Sequence, residues 1–343
     1  MTTPLKIAAL GNAVTDLVTE VDDAALATLG FKSGSHQAGS LALQAKLEKM
    51  FPHAASMPGG SLANTAYALG CLGADITLIS SIADDAQGRA FAKGMHDVGV
   101  KTKITNFGDN VLSQAGYVLI TPDGQRTFVN LPYNTCITAE IVDDFADDII
   151  GADLLIIEGY LFIDQTDAVD RAIELARENN VKICITLAAE NVVIKHHDTI
   201  AQHIEEGIDL LIANEEELEA LINGAGHDEE LAQSIENTTR VVTKGKDGCE
   251  YHNPKDIQTA TMSTAPLPGK LLDTNGAGDG FLGGFLSLYD PTEPVIDLTK
   301  TSYAMLTGSL VAARVICQIG PRLNSKKYQE AATLANTVEL KLQ

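Results

Sequence analysis

Asp273-Thr274-Asn275-Gly276-Ala277-Gly278-Asp279-Gly280, running into Phe281-Leu282-Gly283-Gly284-Phe285-Leu286, is the most informative stretch of the chain. Three glycines within five residues let the backbone bend tightly and aim successive N–H groups at one point. The apolar run behind them reads as a helix starting there, which makes the turn an anion cradle. Asp279 sits inside it, where a helix N-terminus favours an ionised carboxylate and would also attract a transferring phosphoryl group. A base beside a phosphate site is the arrangement of phosphoryl transfer. Taken alone, the segment is equally an ordinary capped turn. Gly278 to Gly283 also fits G-x-G-x-x-G, but a dinucleotide fingerprint closes a first strand and needs an acidic residue ending the next strand about 20 residues on. Here Glu293 and Asp297 fall in a loop around Pro291, so that context fails, and the P-loop pattern is absent.

The rest of the chain narrows the choice. Its 343 residues, 45% hydrophobic and 20% charged, suffice for one large α/β domain with an appendage. A net charge of −22 argues against a nucleic-acid or membrane-surface partner, which would need a basic face. An anionic substrate such as ATP must then be held by backbone amides, a few cations and Mg²⁺. Cys71, Cys136, Cys184, Cys249 and Cys317 are scattered, odd in number and without C-x-x-C spacing, as expected of reduced apolar fillers in a cytoplasmic protein. The N-terminal apolar run Ile7 to Leu10 is too short for a signal peptide or a span.

Apolar runs alternate with helical patterns: Leu62 to Leu72 then Ile76 to Ile79; Asp153 to Ile157, Ala168 to Asn179, Val181 to Ile185; Asp209 to Ile212, Glu215 to Ile222, Arg240 to Thr243. Continuous apolar strands between amphipathic helices predict a doubly wound, mainly parallel sheet flanked by helices. Ligands should lie beyond the carboxyl ends of its strands. Two regions break the rhythm. Leu17 to Val21 alternates, and Gly116 to Ile120 and Arg126 to Asn130 flank the turn Thr121-Pro122-Asp123-Gly124-Gln125, a hairpin signal. We expect a single domain over 1–343 with a discontinuous small β lid from about 14–50 and 106–133, which would exclude water during transfer.

Further candidates lie at strand ends. Gly59-Gly60-Ser61 opens the helix bearing Asn64, where a glycine pair admits a ligand and Asn64 offers a donor and an acceptor to hydroxyls; an N-cap is the plain alternative. Asp16 is by itself a solvated strand-end acid, or else its two oxygens accept vicinal hydroxyls. Asn214 and Glu217 form a capping-box pattern, or Glu217 orders water around Mg²⁺. Thr243-Lys244-Gly245-Lys246-Asp247-Gly248 is a turn carrying a hydroxyl and two cations. Arg126 reads as a solvated strand-end residue, the alternative being a cation that reaches phosphate from the lid hairpin, and His196-His197 reads as a solvated helix start without metal-ligand spacing.

Together these pieces resemble the ribokinase-like (PfkB) family of sugar and nucleoside kinases over nearly the whole chain. Asp273 to Asp279 matches its D-T-x-G-A-G-D motif. Met57 to Asn64 through Gly73, with Asp84-Asp85 and Gly88, matches its N-terminal motif; Asn214 to Glu217 matches N-x-x-E, and Thr243, Gly245 and Gly248 match T-x-G-x-x-G. The resemblance implies Asp279 as the base, the amides of Gly276, Ala277 and Gly278 as an anion hole, and a sugar held by Asp16, Gly59, Gly60 and Asn64. It implies Mg·ATP near Asn214, Glu217, Thr243, Gly245 and Gly248, with Glu217 reaching the metal through water. Within the family the chain looks most like adenosine kinases: Gly11-Asn12-Ala13-Val14-Thr15-Asp16 resembles their G-N-x-x-x-D, Asn275 is typical of them, and about forty residues separate Asp16 from Gly59. Glu158 to Phe162 resembles their segment near the nucleobase, so Leu161 or Phe162 is expected to pack on a purine or else in the lid or core. The expected activity is ATP-dependent phosphorylation of a primary hydroxyl by a monomer or homodimer, adenosine favoured. Rivals are a kinase for a free sugar or sugar acid, a nucleotide sensor that kept the fold, and a dehydrogenase.

Overall fold

A computed structural model describes residues 5–108, 111–224, 228–254, 258–293 and 297–338. Residues 109 and 110, inside the expected lid segment, lie outside the described residues, as does Pro294 near the loop around Pro291. The strands are β1 (Lys6–Leu10), β2 (Val14–Glu20), β3 (His36–Ala38), β4 (Ala55–Gly59), β5 (Asp75–Ile79), β6 (Ala115–Ile120) and β7 (Arg126–Asn130). They continue as β8 (Leu154–Glu158), β9 (Lys182–Thr186), β10 (Leu210–Asn214), β11 (Thr239–Thr243), β12 (Cys249–Asn253) and β13 (Gln258–Met262).

Eight strands form the main sheet in the order β13-β12-β11-β10-β9-β8-β1-β5. From β5 to β11 every pairing is parallel; β12 and β13 add antiparallel edges that the sequence pattern did not reveal. Both faces are covered, which is why the strands are apolar throughout. Along fully buried β8, Leu155 and Ile157 enter one core while Leu154 and Ile156 enter the other. The second core packs the helix Ser61–Cys71 and the helix Ala277–Leu286 against the sheet. The chain order reverses at β1, which has β5 on one side and β8 on the other, so a crevice opens at the carboxyl end of β1.

A second sheet, β3-β7-β6-β2-β4, has its own apolar core around Leu47, Tyr117 and Val129. The Pro-Asp-Gly turn does close an antiparallel β6–β7 hairpin. This sheet extends past residue 50, because β4 pairs with β2 and leads straight into Gly60 and the helix Ser61–Cys71. No helix among the described residues is long and apolar enough to cross a membrane.

Two packing expectations are corrected. His197 starts its helix buried rather than solvated, its Nε2 lying 2.9 Å from the carbonyl of Leu221. Cys71, Cys184 and Cys249 are buried fillers, but Cys136 is exposed.

Candidate active site

The catalytic turn is built by conformation first. Gly276 caps the helix Ala277–Leu286 in a left-handed conformation, φ +74°, and Pro321 packs so closely that a Cβ there would stand 2.4 Å from Pro321 Cβ. Only glycine fits. Asp273 steadies the start of the turn, with Oδ1 accepting from the N–H of Asn275 at 2.9 Å and Oδ2 from the N–H of Gly320 at 2.9 Å. The N–H of Ala277 bonds back to the carbonyl of Thr274 at 3.3 Å, a long bond it must release to serve an anion. Gly278 to Gly283 lies inside the helix rather than in a strand-to-helix turn, which removes the basis for a dinucleotide fingerprint.

Asp279, in the first turn of that helix, is held at both oxygens. Ser61 Oγ donates to Oδ1 at 2.6 Å and Asn64 Nδ2 to Oδ2 at 2.8 Å, while Thr65 Oγ1 donates to the Asp279 carbonyl at 3.1 Å. Ser61 and Asn64 come from the first turn of the facing helix, capped by Gly60 at φ +91° without a side-chain cap. Ser61 therefore serves the carboxylate instead of its own helix. Burial pushes the Asp279 pKa up, and these hydrogen bonds together with Arg322 oppose the rise.

Two cavities meet at this carboxylate's helix. One of about 390 Å³ is largely apolar and is lined by Thr243, Gly245, Gly248, Ala277, Gly278 and Phe281 among others. A smaller polar one, about 90 Å³, is lined by Asp279, Ser61, Asn214, Glu217, Thr243 and Gly278. Thr243 and Gly278 belong to both. Asn214 and Glu217 do form the capping box: each backbone N–H donates to the other's side chain, at 2.8 and 2.9 Å. Glu217 nevertheless faces the polar cavity, and burial raises its pKa to about 7. Of the two cations in the turn after β11, Lys246 lines the larger cavity whereas Lys244 is paired with Glu250 at 2.6 Å.

On the other side of Asp279, Asp16 of β2 lies against Gly59, where a Cβ would be 2.8 Å from Asp16 Oδ2. Burial lifts the Asp16 pKa to about 6, with Arg322 and Arg126 pulling it down. Asp16 also lines a cavity of about 40 Å³ with Asn130, Phe128 and Tyr133 of the small sheet and the segment after it.

Three findings depart from the sequence reading. Leu161 and Phe162 are core residues, 0% and 1% exposed, with Phe162 against the ring of His203 at 5.7 Å. They sit in the 3₁₀ turn Gly159–Ile163 and belong to the apolar core, with no side-chain surface left for a ligand. Arg126 is not solvated but pairs with the buried carboxylate of Asp273, joining the small sheet to the catalytic turn. Glu158, at the end of β8, is 2% exposed, accepts from the N–H of Asn12 at 3.0 Å and has its pKa lifted to about 8, first by burial and further by Asp279. Its position at a strand's carboxyl end was the available signal.

A family model described as pfkB family carbohydrate kinase matches residues 41–327, which include Asn64, Asn214, Thr243 and Asp279. The chain belongs to that family. Among pfkB relatives, an adenosine kinase of Saccharomyces cerevisiae is 27% identical over 95% of this chain and 98% of its own length. A ribokinase of Dictyostelium discoideum is 25% identical over 79% of this chain and 87% of its own. In three dimensions, a probable sugar kinase from Rhizobium etli CFN 42 superposes with a TM-score of 0.80 at 23% identity, over 98% of this chain and all of its own, which shows the same fold. As a pfkB member the chain is a phosphotransferase acting on an alcohol group of a nucleoside or sugar, and the family implies ATP as donor.

Proposed function

We propose that the protein transfers the γ-phosphoryl group of ATP to the primary hydroxyl of a ribosyl group, with adenosine the favoured acceptor. The observation that carries this is the placement of Asp279: it lines the small cavity that shares Thr243 and Gly278 with the large apolar one, and it is bonded to Ser61 and Asn64 on the helix that follows Gly59, against which Asp16 packs. Asp279 takes the proton from the attacking hydroxyl, its basicity strengthened by burial. The N–H groups of Gly276, Ala277 and Gly278 at the helix N-terminus receive the developing phosphate charge. The match to the yeast adenosine kinase over nearly both full lengths supports the nucleoside. The aromatic side chains that share a cavity with Asp16 are Phe128 and Tyr133, and they replace Leu161 and Phe162 as candidates for contact with the acceptor.

The polar cavity suits Mg²⁺. Glu217, Thr186 and Thr243 present oxygen only, and among the described residues no cluster of three or more His, Cys, Asp or Glu side chains could hold a metal outright. A hard cation that keeps most of its waters fits such a set. Glu217 would hold it through water, and the ion would neutralise phosphate charge in a protein of net charge −22.

A second reading, a kinase for a free sugar or sugar acid, is supported by the match to the Dictyostelium discoideum ribokinase over 79% of this chain. An ATP-consumption assay with adenosine, ribose, fructose and 2-keto-3-deoxygluconate in competition decides. Preference for adenosine supports the first reading, and preference for any of the others replaces it.

A further inference from the structure

Gly320-Pro321-Arg322, a tripeptide outside every motif discussed above, touches both halves of the catalytic centre. The N–H of Gly320 donates to Asp273, and Pro321 packs against Gly276, so these two residues hold the anion-hole turn from behind. Arg322 reaches the other half. Its Nε donates to Asn64 Oδ1 at 2.8 Å, its Nη2 to the carbonyl of Gly59 at 3.2 Å and its Nη1 to Met95 Sδ at 3.6 Å. The guanidinium lies over the ring of Tyr67 at 4.9 Å and that of Phe91 at 5.6 Å. These contacts compensate a cation that burial disfavours: its pKa falls to about 10, so it remains charged at neutral pH.

We propose that Arg322 is a positioning residue of the phosphoryl transfer: by holding Asn64 Oδ1 it fixes the Asn64 amide with Nδ2 toward Asp279, and so aims the base. The two ends of an Asn amide have the same shape, so shape alone leaves its orientation open. Arginine carries donors only and an ionised carboxylate accepts only. Placed on opposite sides of Asn64, at 2.8 Å each, they permit one orientation. Without Arg322 the amide can flip, turning its oxygen toward Asp279 and removing one of the two donors that hold the carboxylate. Lysine cannot substitute, because a point charge on a flexible stem does not reproduce the planar fork that bonds Asn64 and Gly59 together.

This inference rests on Asp279 being the base, and the experiment separates the two. Arg322→Ala and Arg322→Lys are compared with wild type and Asp279→Asn for kcat, acceptor KM, the Kd of a non-hydrolysable ATP analogue, melting temperature and the pH profile of kcat/KM. Arg322→Ala is expected to lose about 100-fold in acceptor kcat/KM, the scale of a small misplacement of reacting groups. Arg322→Lys should recover little of this, and added guanidinium should restore part of the Arg322→Ala activity. Analogue binding should stay within about twofold of wild type. The acid limb of the profile should move to higher pH, since Arg322 is a cation lowering the pKa of both Asp279 and Asp16. Other charged or titratable groups in this field include Glu158, Arg126, Tyr67, Tyr160, Glu217 and Tyr328, and they are unchanged in the variants.

The role is overturned if Arg322→Ala keeps wild-type kcat/KM. It is equally overturned if activity falls together with analogue binding and melting temperature, without guanidinium rescue and with an unmoved acid limb, since Arg322 would then only hold the fold. Should Arg322→Ala not fold, the Lys variant gives the same decision from kcat, analogue Kd and the acid limb. An active Asp279→Asn would remove the base itself, whereas an inactive one beside a normal Arg322→Ala would remove only the positioning role.

Discussion

Gly276→Ala and Gly278→Ala add the same methyl group two residues apart, with opposite expected consequences. At Gly276 the backbone is left-handed, φ +74°, and the new Cβ would lie 2.4 Å from Pro321 Cβ and 2.7 Å from its Cα. The conformation costs about 1–2 kcal/mol and the overlap about 1–3 more. The sum, about 2 to 5 kcal/mol, is several degrees of melting temperature for a chain of this size. At Gly278 the added Cβ would meet no atom within 4 Å beyond its chain neighbours and its own helix backbone, and the residue is helical, so alanine should leave stability unchanged or raise it by about 0.5–1 kcal/mol. Yet Gly278 lines both cavities, and its methyl would occupy space that the transferring phosphate needs. Alanine keeps the backbone N–H, so the loss is one of position, and kcat should fall about 100-fold, the scale of a small misplacement of the reacting groups. Thermal melts and steady-state ATP turnover on both variants are the assays. Wild-type turnover by a stable Gly278→Ala protein would refute the assignment of phosphate to this turn, and an undiminished melting temperature for Gly276→Ala would refute the strain argument.

Two other perturbations follow from the same geometry. The Glu158 pKa rises on folding from an ordinary 4.5 to about 8, so the folded state keeps a proton the unfolded chain releases. Stability from this group is therefore present at low pH and lost as pH climbs through that window. Glu158→Gln should melt progressively higher than wild type between about pH 5 and pH 8, and parallel curves would contradict the shift. For the Arg126–Asp273 pair, a double-mutant cycle with Arg126→Ala and Asp273→Asn should give a coupling of about 1–3 kcal/mol in unfolding, and additive losses would show that the pair does not join the small sheet to the turn.

The sequence disclosed what is local. The strands ending at Ile79, Glu158, Asn214 and Thr243, the β6–β7 hairpin and the glycine turn before Asp279 all carry their signal within about ten residues, the range of hydrophobic period and turn chemistry. Contacts made across the chain were hidden. Arg322 meets Asn64 across 258 positions, and nothing in the polar stretch around it marks a buried guanidinium. Arg126 looked like a surface residue because its partner Asp273 lies on another sheet's loop. For Leu161 and Phe162 the sequence left a purine contact and core packing open, because in a 3₁₀ turn side-chain direction follows neither the period of 2 nor that of 3.6, and the core alternative is the one found. The antiparallel strands β12 and β13 escaped notice because polar residues such as Glu250, His252 and Thr259 interrupt their apolar runs.

The central claim, that Asp279 is the base of an ATP-dependent phosphoryl transfer, is tested most directly by Asp279→Asn. Asparagine keeps the shape and can still be bonded by Ser61. The variant should fold, bind the ATP analogue and lose about 10²- to 10⁴-fold in acceptor phosphorylation. Phosphorylation at the wild-type rate by Asp279→Asn would contradict the account.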